Sequence, residues 1–164
     1  MQYVRKAGSD PAFLVKAMGE ASGELRQAIS GLARRRLLIP GCDPDHGWTL
    51  LGILAHARDV ELGVAEQIEA IISRREPPIP TVDLDDIPLL EEYEDEDEDE
   101  LLQEFHYYRR SVTYSLWDLP ELAWERGGLH RYRGRITLMQ IARELYQHDL
   151  EHLWQARRMI EALR

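Results

Sequence analysis

The fold of this chain is decided by the stretch T-L-M-Q-I-A-R-E-L-Y-Q-H-D-L-E-H-L-W-Q-A, residues 137–156. It opens with a capping-box pattern, because Thr137 precedes Gln140 by three positions. Side chains then recur at alternating steps of three and four, the period of a helix packed in a bundle: Leu138, Ile141, Leu145, His148, His152, Gln155 and Met159. The stretch predicts a helix over residues 137–163. Its apolar seam carries two histidines where leucines are expected.

Three further helices are predicted from the same periodicity, over about residues 10–36, 48–75 and 97–117. Asp10 can cap the first of them, with Pro11 at its first helical position. The second helix is apolar on more than one side, so we expect it to be buried against two neighbours.

The segment between the second and third helices, residues 76–96, is rich in proline and acidic residues and predicts a long crossover link. No alternating strand pattern or hairpin signal competes with the helices anywhere in the chain. The predicted fold class is therefore all-α, a four-helix bundle with a long crossover between helices 2 and 3. Its length fits a single domain, residues 1–164.

The composition is that of a water-soluble protein, with 44% hydrophobic and 30% charged residues. The longest uncharged apolar stretch, Gly47–Ala55, is too short to cross a bilayer, and the first ten residues lack the apolar core of a secretory signal. A single cysteine, Cys42, excludes an internal disulfide framework and fits a reducing compartment. We expect a cytoplasmic protein that does not associate with membranes.

The net charge of −10 is concentrated in one segment, residues 91–100, which holds nine of the thirty acidic residues. Without it, 21 acidic residues face 20 basic ones, so the rest of the chain is nearly neutral. No basic face of the kind that binds phosphates is present, and nucleic-acid binding is not expected. We expect the acidic run to be solvated and partly disordered; recruitment of a basic partner or of cations is the alternative.

A third histidine, His56, falls in an apolar row of the second helix, between Ile53 and Val60. His148 and His152 lie about 6 Å apart along one face of the last helix, since each residue rises about 1.5 Å. Buried unpaired imidazoles are costly, and one divalent cation would satisfy all three. Three imidazoles with open positions are typical of reactive metal sites. The alternatives are core histidines that hydrogen-bond to neighbours, or a solvated surface pair.

Two acidic residues near the histidines are weaker candidates for a role in the site. Glu144 precedes His148 by one turn and is a candidate base or extra ligand, or a surface glutamate. Asp59 follows His56 by three positions and is a candidate partner for its second ring nitrogen, or a solvent-facing acid. The pattern identifies no catalytic residue, and Glu144 is only a weak candidate.

Two further polar residues could support the site. Gln155 follows His152 by three positions and could orient its ring, although a seam glutamine can also bond to the backbone. His130 lies in the loop before the last helix and could reach the mouth of a pocket.

The segments W-T-L-L-G-I-L-A-H-A-R-D-V-E (48–61) and 137–156 resemble the DinB/YfiT-like family of metalloenzymes. The matching features are a tryptophan followed two turns later by a histidine, and H-x-x-x-H followed by a glutamine. The resemblance implies a four-helix bundle, often a homodimer. It also implies a divalent metal, commonly zinc or nickel, held by His56, His148 and His152.

The resemblance implies a metal-dependent enzyme that acts on small molecules, of the thiol S-transferase or hydrolase type. Relatives include thiol-dependent S-transferases and an isomerase, so a low-molecular-weight thiol is a candidate cosubstrate. The alternative is a non-catalytic bundle that binds metal, or one that only dimerises. The acidic run and the proline-rich link depart from the family pattern, so the resemblance assigns no substrate class.

Overall fold

The computed structural model describes residues 10–163, in which four long helices form a bundle. Two of the long helices, Glu98–Trp117 and Leu138–Ala162, each pack against both of the others, Pro11–Ile29 and Leu50–Ser73. The predicted four-helix bundle is confirmed. No described helix is long and apolar enough to cross a membrane. The helices are α1 (Pro11–Ile29), α2 (Arg34–Leu37), α3 (Leu50–Ser73), α4 (Leu90–Tyr93), α5 (Glu98–Trp117) and α6 (Leu138–Ala162), with a 3₁₀ turn at Glu121–Glu125.

Each long helix begins at a side chain that accepts hydrogen bonds from its first backbone amides. Asp10 caps α1, Thr49 caps α3 and Asp97 caps α5. Thr137 and Gln140 form the predicted capping box at the start of α6. The caps at Asp10 and Thr137 are confirmed.

The first helix is shorter than the predicted 10–36, because it ends at Ile29. Gly31 follows with a φ of 76°, a left-handed conformation that glycine adopts readily and that commonly terminates helices. Arg34, Arg35 and Arg36 then belong to the separate short helix α2. The Arg34 guanidinium donates to the carbonyl oxygen of Glu96 at 2.9 Å and so holds the acidic run against the body.

The fold is mainly helical, as predicted, but a small sheet for which the sequence shows no strand signal closes one end of the bundle. Its strands are β1 (Pro78–Ile79), β2 (Gly127–His130) and β3 (Gly134–Thr137), with β1 parallel and β3 antiparallel to β2. A Cβ at Gly128 would lie 2.3 Å from Cγ2 of Ile79, so only glycine allows these strands to approach. Strands of two to four residues are too short to show an alternating pattern.

The acidic run is mostly exposed, in keeping with the expected solvated segment, but parts of it are helical and paired with arginines. It contains α4 and the first turn of α5, where carboxylates favour the positive helix end. Arg58 of α3 donates to Glu96 at 2.9 Å and to Glu104 at 2.6 Å. Tyr93 is buried and its hydroxyl lies 2.9 Å from Thr49 Oγ1, which anchors the link at the start of α3.

The apolar core is divided into two clusters along the bundle axis. One cluster includes Val60, Val112 and Leu145, and the other includes Leu54 and Leu153. Between them α3, α5 and α6 bury a layer of polar side chains: His56, Glu61, Arg109, His148, Asp149 and His152. The candidate site belongs to this layer.

Candidate metal centre

The three predicted histidines lie together in the polar layer and are called the histidine cluster. His56 is on α3, and His148 and His152 are one turn apart on α6. Their exposed fractions are 6%, 4% and 7%, so the rings are almost withdrawn from water. One ring nitrogen from each lies within 4.8 Å of the other two.

The spacing of these nitrogens fits coordination of a single ion. Nε2 of His56 lies 2.9 Å from Nε2 of His148. At a metal–nitrogen distance of about 2.0–2.1 Å, two ligands at right angles are about 2.9 Å apart, and two tetrahedral ligands about 3.4 Å. The observed pair is at the short end of that range. This pair is therefore close enough to share one divalent cation, and the third ring lies beside it.

The imidazoles have the protonation state that metal binding requires. Burial lowers the pKa of His56 and of His152, and burial together with the two neighbouring rings lowers the pKa of His148 to about 2. All three rings are therefore neutral near pH 7, with a lone pair available to a cation.

Hydrogen bonding fixes which nitrogen of His152 faces the centre. Its Nδ1 lies 2.8 Å from Oε1 of Gln155, an amide oxygen that can only accept, so Nδ1 carries the proton and Nε2 is free. The predicted orienting role of Gln155 is confirmed. Nδ1 of His148 is buried without a hydrogen-bond partner in residues 10–163, so contacts within the described chain leave one nitrogen of this ring unsatisfied.

Trp48 and the carbonyl of Leu84 border the cluster. The indole lies edge-on to the rings of His56 and His152, with centroids 5.4 Å and 5.1 Å away. The Leu84 carbonyl oxygen lies 3.3 Å from Nε2 of His56. The link between α3 and α5 therefore passes directly over the histidines.

Comparison with known proteins shows the family of this chain. The defining sequence pattern of the DinB superfamily matches residues 8–156. The chain belongs to the DinB superfamily. No curated protein sequence matches this DinB-superfamily chain closely enough to count as a relative.

A solved structure shows the same fold as this DinB-superfamily chain. YfiT from Bacillus subtilis is 19% identical, with a TM-score of 0.74, and the match covers 90% of this chain and 86% of YfiT. YfiT is described as "a probable metal-dependent hydrolase with an unusual four-helix bundle topology". The likeness confirms the bundle that the sequence of this DinB-superfamily chain predicts.

The weaker acidic candidates contact arginines and not the histidine cluster. Both carboxylate oxygens of Glu144 accept from Arg133, at 2.9 Å and 2.5 Å. Asp59 accepts from Arg58 at 2.6 Å, and its side chain is 65% exposed. Of the two alternatives left open for Asp59, the structure supports the solvent-facing acid.

His130 has a structural role in the β2–β3 hairpin. Its Nδ1 accepts from the backbone amides of Tyr132 and Arg133, at 3.2 Å and 3.3 Å. The ring is buried and lines a small cavity of about 30 Å³ together with Glu144. The structure places this histidine at the turn, apart from the cluster.

The sequence analysis missed a buried charge triad formed by Glu61, Arg109 and Asp149. Arg109 donates to both oxygens of Asp149, at 2.6 Å and 2.9 Å, and to Oε1 of Glu61. It also donates to the carbonyl oxygen of Met18 at 2.6 Å. Burial raises the pKa of Glu61 to about 7, while two adjacent carboxylates keep Arg109 charged.

A signal for the triad exists in the sequence. Arg109 lies on the seam of α5, four positions after Phe105 and three before Val112. Asp149 lies four positions after Leu145 on α6, next to His148. A charged residue at such a seam position predicts a buried partner of opposite charge.

Proposed function

We propose that this chain is a metal-dependent enzyme that acts on small molecules, of the hydrolase type, with one divalent ion held by His56, His148 and His152. The observation that carries the proposal is the set of three neutral, buried ring nitrogens from two helices within 4.8 Å. The described function of YfiT, which has the same fold, supports it. Imidazole ligands suit zinc and nickel, which we propose as the metals.

The chain's own residues supply orientation and control of water. Gln155 holds the ring of His152 so that Nε2 faces the centre. Trp48 and the Leu84 carbonyl cover part of the cluster and restrict access of water. A divalent cation bound by three neutral imidazoles keeps its full charge and acidifies a water or thiol beside it.

A thiol S-transferase is the second candidate, and it rests on the family resemblance. A low-molecular-weight thiol would then replace water as the nucleophile at the same three histidines. The two reactions are distinguished by the requirement for thiol: a transferase turns over only with added thiol, whereas a hydrolase does not need it.

A homodimer, implied by the family resemblance, stays a prediction. Three aromatic side chains of α5 are available for such an interface: Tyr107, Tyr114 and Trp117 are 69%, 86% and 66% exposed. Sedimentation equilibrium of the wild type and of a Tyr114→Ser/Trp117→Ser variant tests this. A monomeric wild type would contradict it.

The test of the proposed enzyme combines metal content with turnover. Protein stripped with a chelator is reloaded with zinc or nickel, and hydrolysis of small esters, amides and lactones is measured with and without thiols. We expect one metal per chain and turnover that requires it, both lost in His148→Ala. His106→Ala is the matched control, since His106 is exposed on α5.

Less than a tenth of an equivalent of metal in the reloaded wild type would contradict the metal site. A full equivalent without turnover on any substrate, with or without thiol, would favour the third candidate, a non-catalytic metal-binding bundle.

A further inference from the structure

The segment T-V-D-L-D-D-I-P, residues 81–88, lies along α3 and is called the acidic strap. Just before it, the Pro80 carbonyl oxygen accepts from Gln67 at 2.7 Å. Val82 packs so closely on Gly63 that a Cβ there would lie 2.6 Å from Cγ2 of the valine. The strap therefore runs towards the start of α3.

The strap crosses the histidine cluster and then reaches the loop that carries Trp48. The Leu84 carbonyl oxygen lies 3.3 Å from Nε2 of His56. Further on, Ile87 approaches Gly47, where a Cβ would lie 3.7 Å from its Cγ2. The strap thus forms one wall of the site.

This wall carries three carboxylates. Asp83, Asp85 and Asp86 flank Leu84 in the chain, so covalent geometry alone keeps them near the cluster, and all three are exposed. Their charges act on His56 and favour its protonated form. Within residues 10–163 none of the three takes part in an ion pair; the one side-chain contact is that Asp83 accepts from the Asp85 amide at 3.0 Å.

The two arginines discussed with the cluster, Arg58 and Arg109, are each paired with carboxylates other than those of the strap. Arg58 is paired with Asp59, Glu96 and Glu104. Arg109, whose charge reaches His148, is shared between two carboxylates of the buried triad. The negative charge of the strap is therefore not cancelled locally.

Trp48 marks the other border of the site, since its half-buried indole contacts two of the three rings. Unpaired carboxylates beside this centre favour a substrate with a positive charge.

We propose that Asp83, Asp85 and Asp86 select amine-bearing, positively charged small molecules at the histidine cluster and disfavour anions. The inference rests on the proposed metal site and names the substrate class that this site accepts. The carboxylates act through charge on the approaching molecule, so they are specificity residues and not metal ligands.

The test uses the cobalt-substituted protein and three thiols that differ in charge: cysteamine, 2-mercaptoethanol and mercaptoacetate. Binding of each thiol to cobalt is followed by its sulfur-to-cobalt absorption band, so no turnover is needed. The wild type is compared with the triple variant Asp83→Asn/Asp85→Asn/Asp86→Asn. The amide oxygen introduced at position 83 can still accept from the backbone amide of position 85, so the turn is kept. Cobalt affinity of each protein is measured separately.

The matched control is Glu69→Gln/Glu121→Gln/Glu125→Gln, which removes the same charge from exposed positions. Glu69 lies thirteen residues beyond His56 on α3, about 20 Å along its axis. The control should leave all three thiol affinities within about twofold, because charges at that distance are screened.

In the strap variant we expect cysteamine to bind about threefold to tenfold more weakly and mercaptoacetate more tightly by a similar factor. 2-Mercaptoethanol should change by less than about twofold. If the three affinities move together, or none moves, the charge selection is wrong although the metal site stands. If neither protein takes up cobalt, the metal site and this inference both fail.

Discussion

Replacing Arg109 by leucine should destabilise the protein strongly, because two buried carboxylates lose their cation. The side chains of Arg109, Glu61 and Asp149 are 4%, 1% and 2% exposed. Removing one partner of such a buried ionic group costs about 3–5 kcal/mol. A domain of this size has a free energy of unfolding of about 5–15 kcal/mol, so the loss is about a fifth of it or more.

The destabilisation should depend on pH in a defined direction. Burial raises the pKa of Glu61 to about 7 and also raises that of Asp149 even with Arg109 present, and removing the cation raises both further. A carboxyl whose pKa is higher in the folded state contributes stability at low pH and loses it as pH rises. The variant should therefore be least stable near pH 8 and closer to the wild type near pH 5.5.

Urea unfolding of the metal-free proteins, followed by circular dichroism at both pH values, measures the effect. In a parallel thermal melt at pH 8, followed by the same signal, the unfolding midpoint should fall by roughly 6–20 °C. Arg110→Leu, at the exposed neighbouring position, is the control and should change the free energy of unfolding by less than about 0.5 kcal/mol. An Arg109→Leu variant within about 1 kcal/mol of the wild type at pH 8 would refute this reasoning.

Three further variants test other parts of the structure. Gln155→Ala removes the acceptor that orients His152, so chelator competition should show about 10- to 100-fold weaker metal binding than in the wild type. Gln155→Glu keeps an acceptor and should retain most of the wild-type affinity. Equal metal affinities of Gln155→Ala and the wild type would contradict the orienting role. Glu61→Gln removes a buried carboxyl that titrates. The free energy of unfolding of the wild type, from thermal melts, should fall by up to about 3 kcal/mol between pH 5 and pH 8, and this fall should be smaller in the variant. The same pH profile in both proteins would count against the raised pKa of Glu61. Gly52→Ala places a Cβ 2.8 Å from the Tyr93 hydroxyl, so urea unfolding should show a free energy of unfolding lower by about 1–3 kcal/mol. Wild-type stability of this variant would show that Tyr93 can move without cost.

The last helix could be predicted in detail because its determinants are local. The capping box at Thr137 and the three-four spacing of the seam fix where α6 begins and which face is buried. Once that face is known, His148 and His152 must point into the bundle, and the same reasoning on α3 adds His56. The three histidines that the structure brings together were therefore identifiable from spacing alone.

Other features depend on contacts between distant segments and leave little trace in local sequence. The strands of the sheet are two to four residues long, and β1 finds its partner β2 about fifty positions later. The path of the acidic strap over His56 depends on Gln67 and Gly63, two positions that resemble any others on a buried helix. Arg109 is different, because its spacing from Phe105 and Val112 places it on the buried face of α5. Its neighbours Tyr108 and Arg110 make this position harder to recognise in the sequence.

The most direct test of the metal centre is an anomalous X-ray diffraction map of protein crystallised with cobalt, recorded on both sides of the cobalt edge. The account predicts one strong peak in the polar layer, about 2.0–2.2 Å from a ring nitrogen of His56, His148 and His152. Crystals that hold cobalt elsewhere on the protein, with the three rings unoccupied or turned apart, would contradict it.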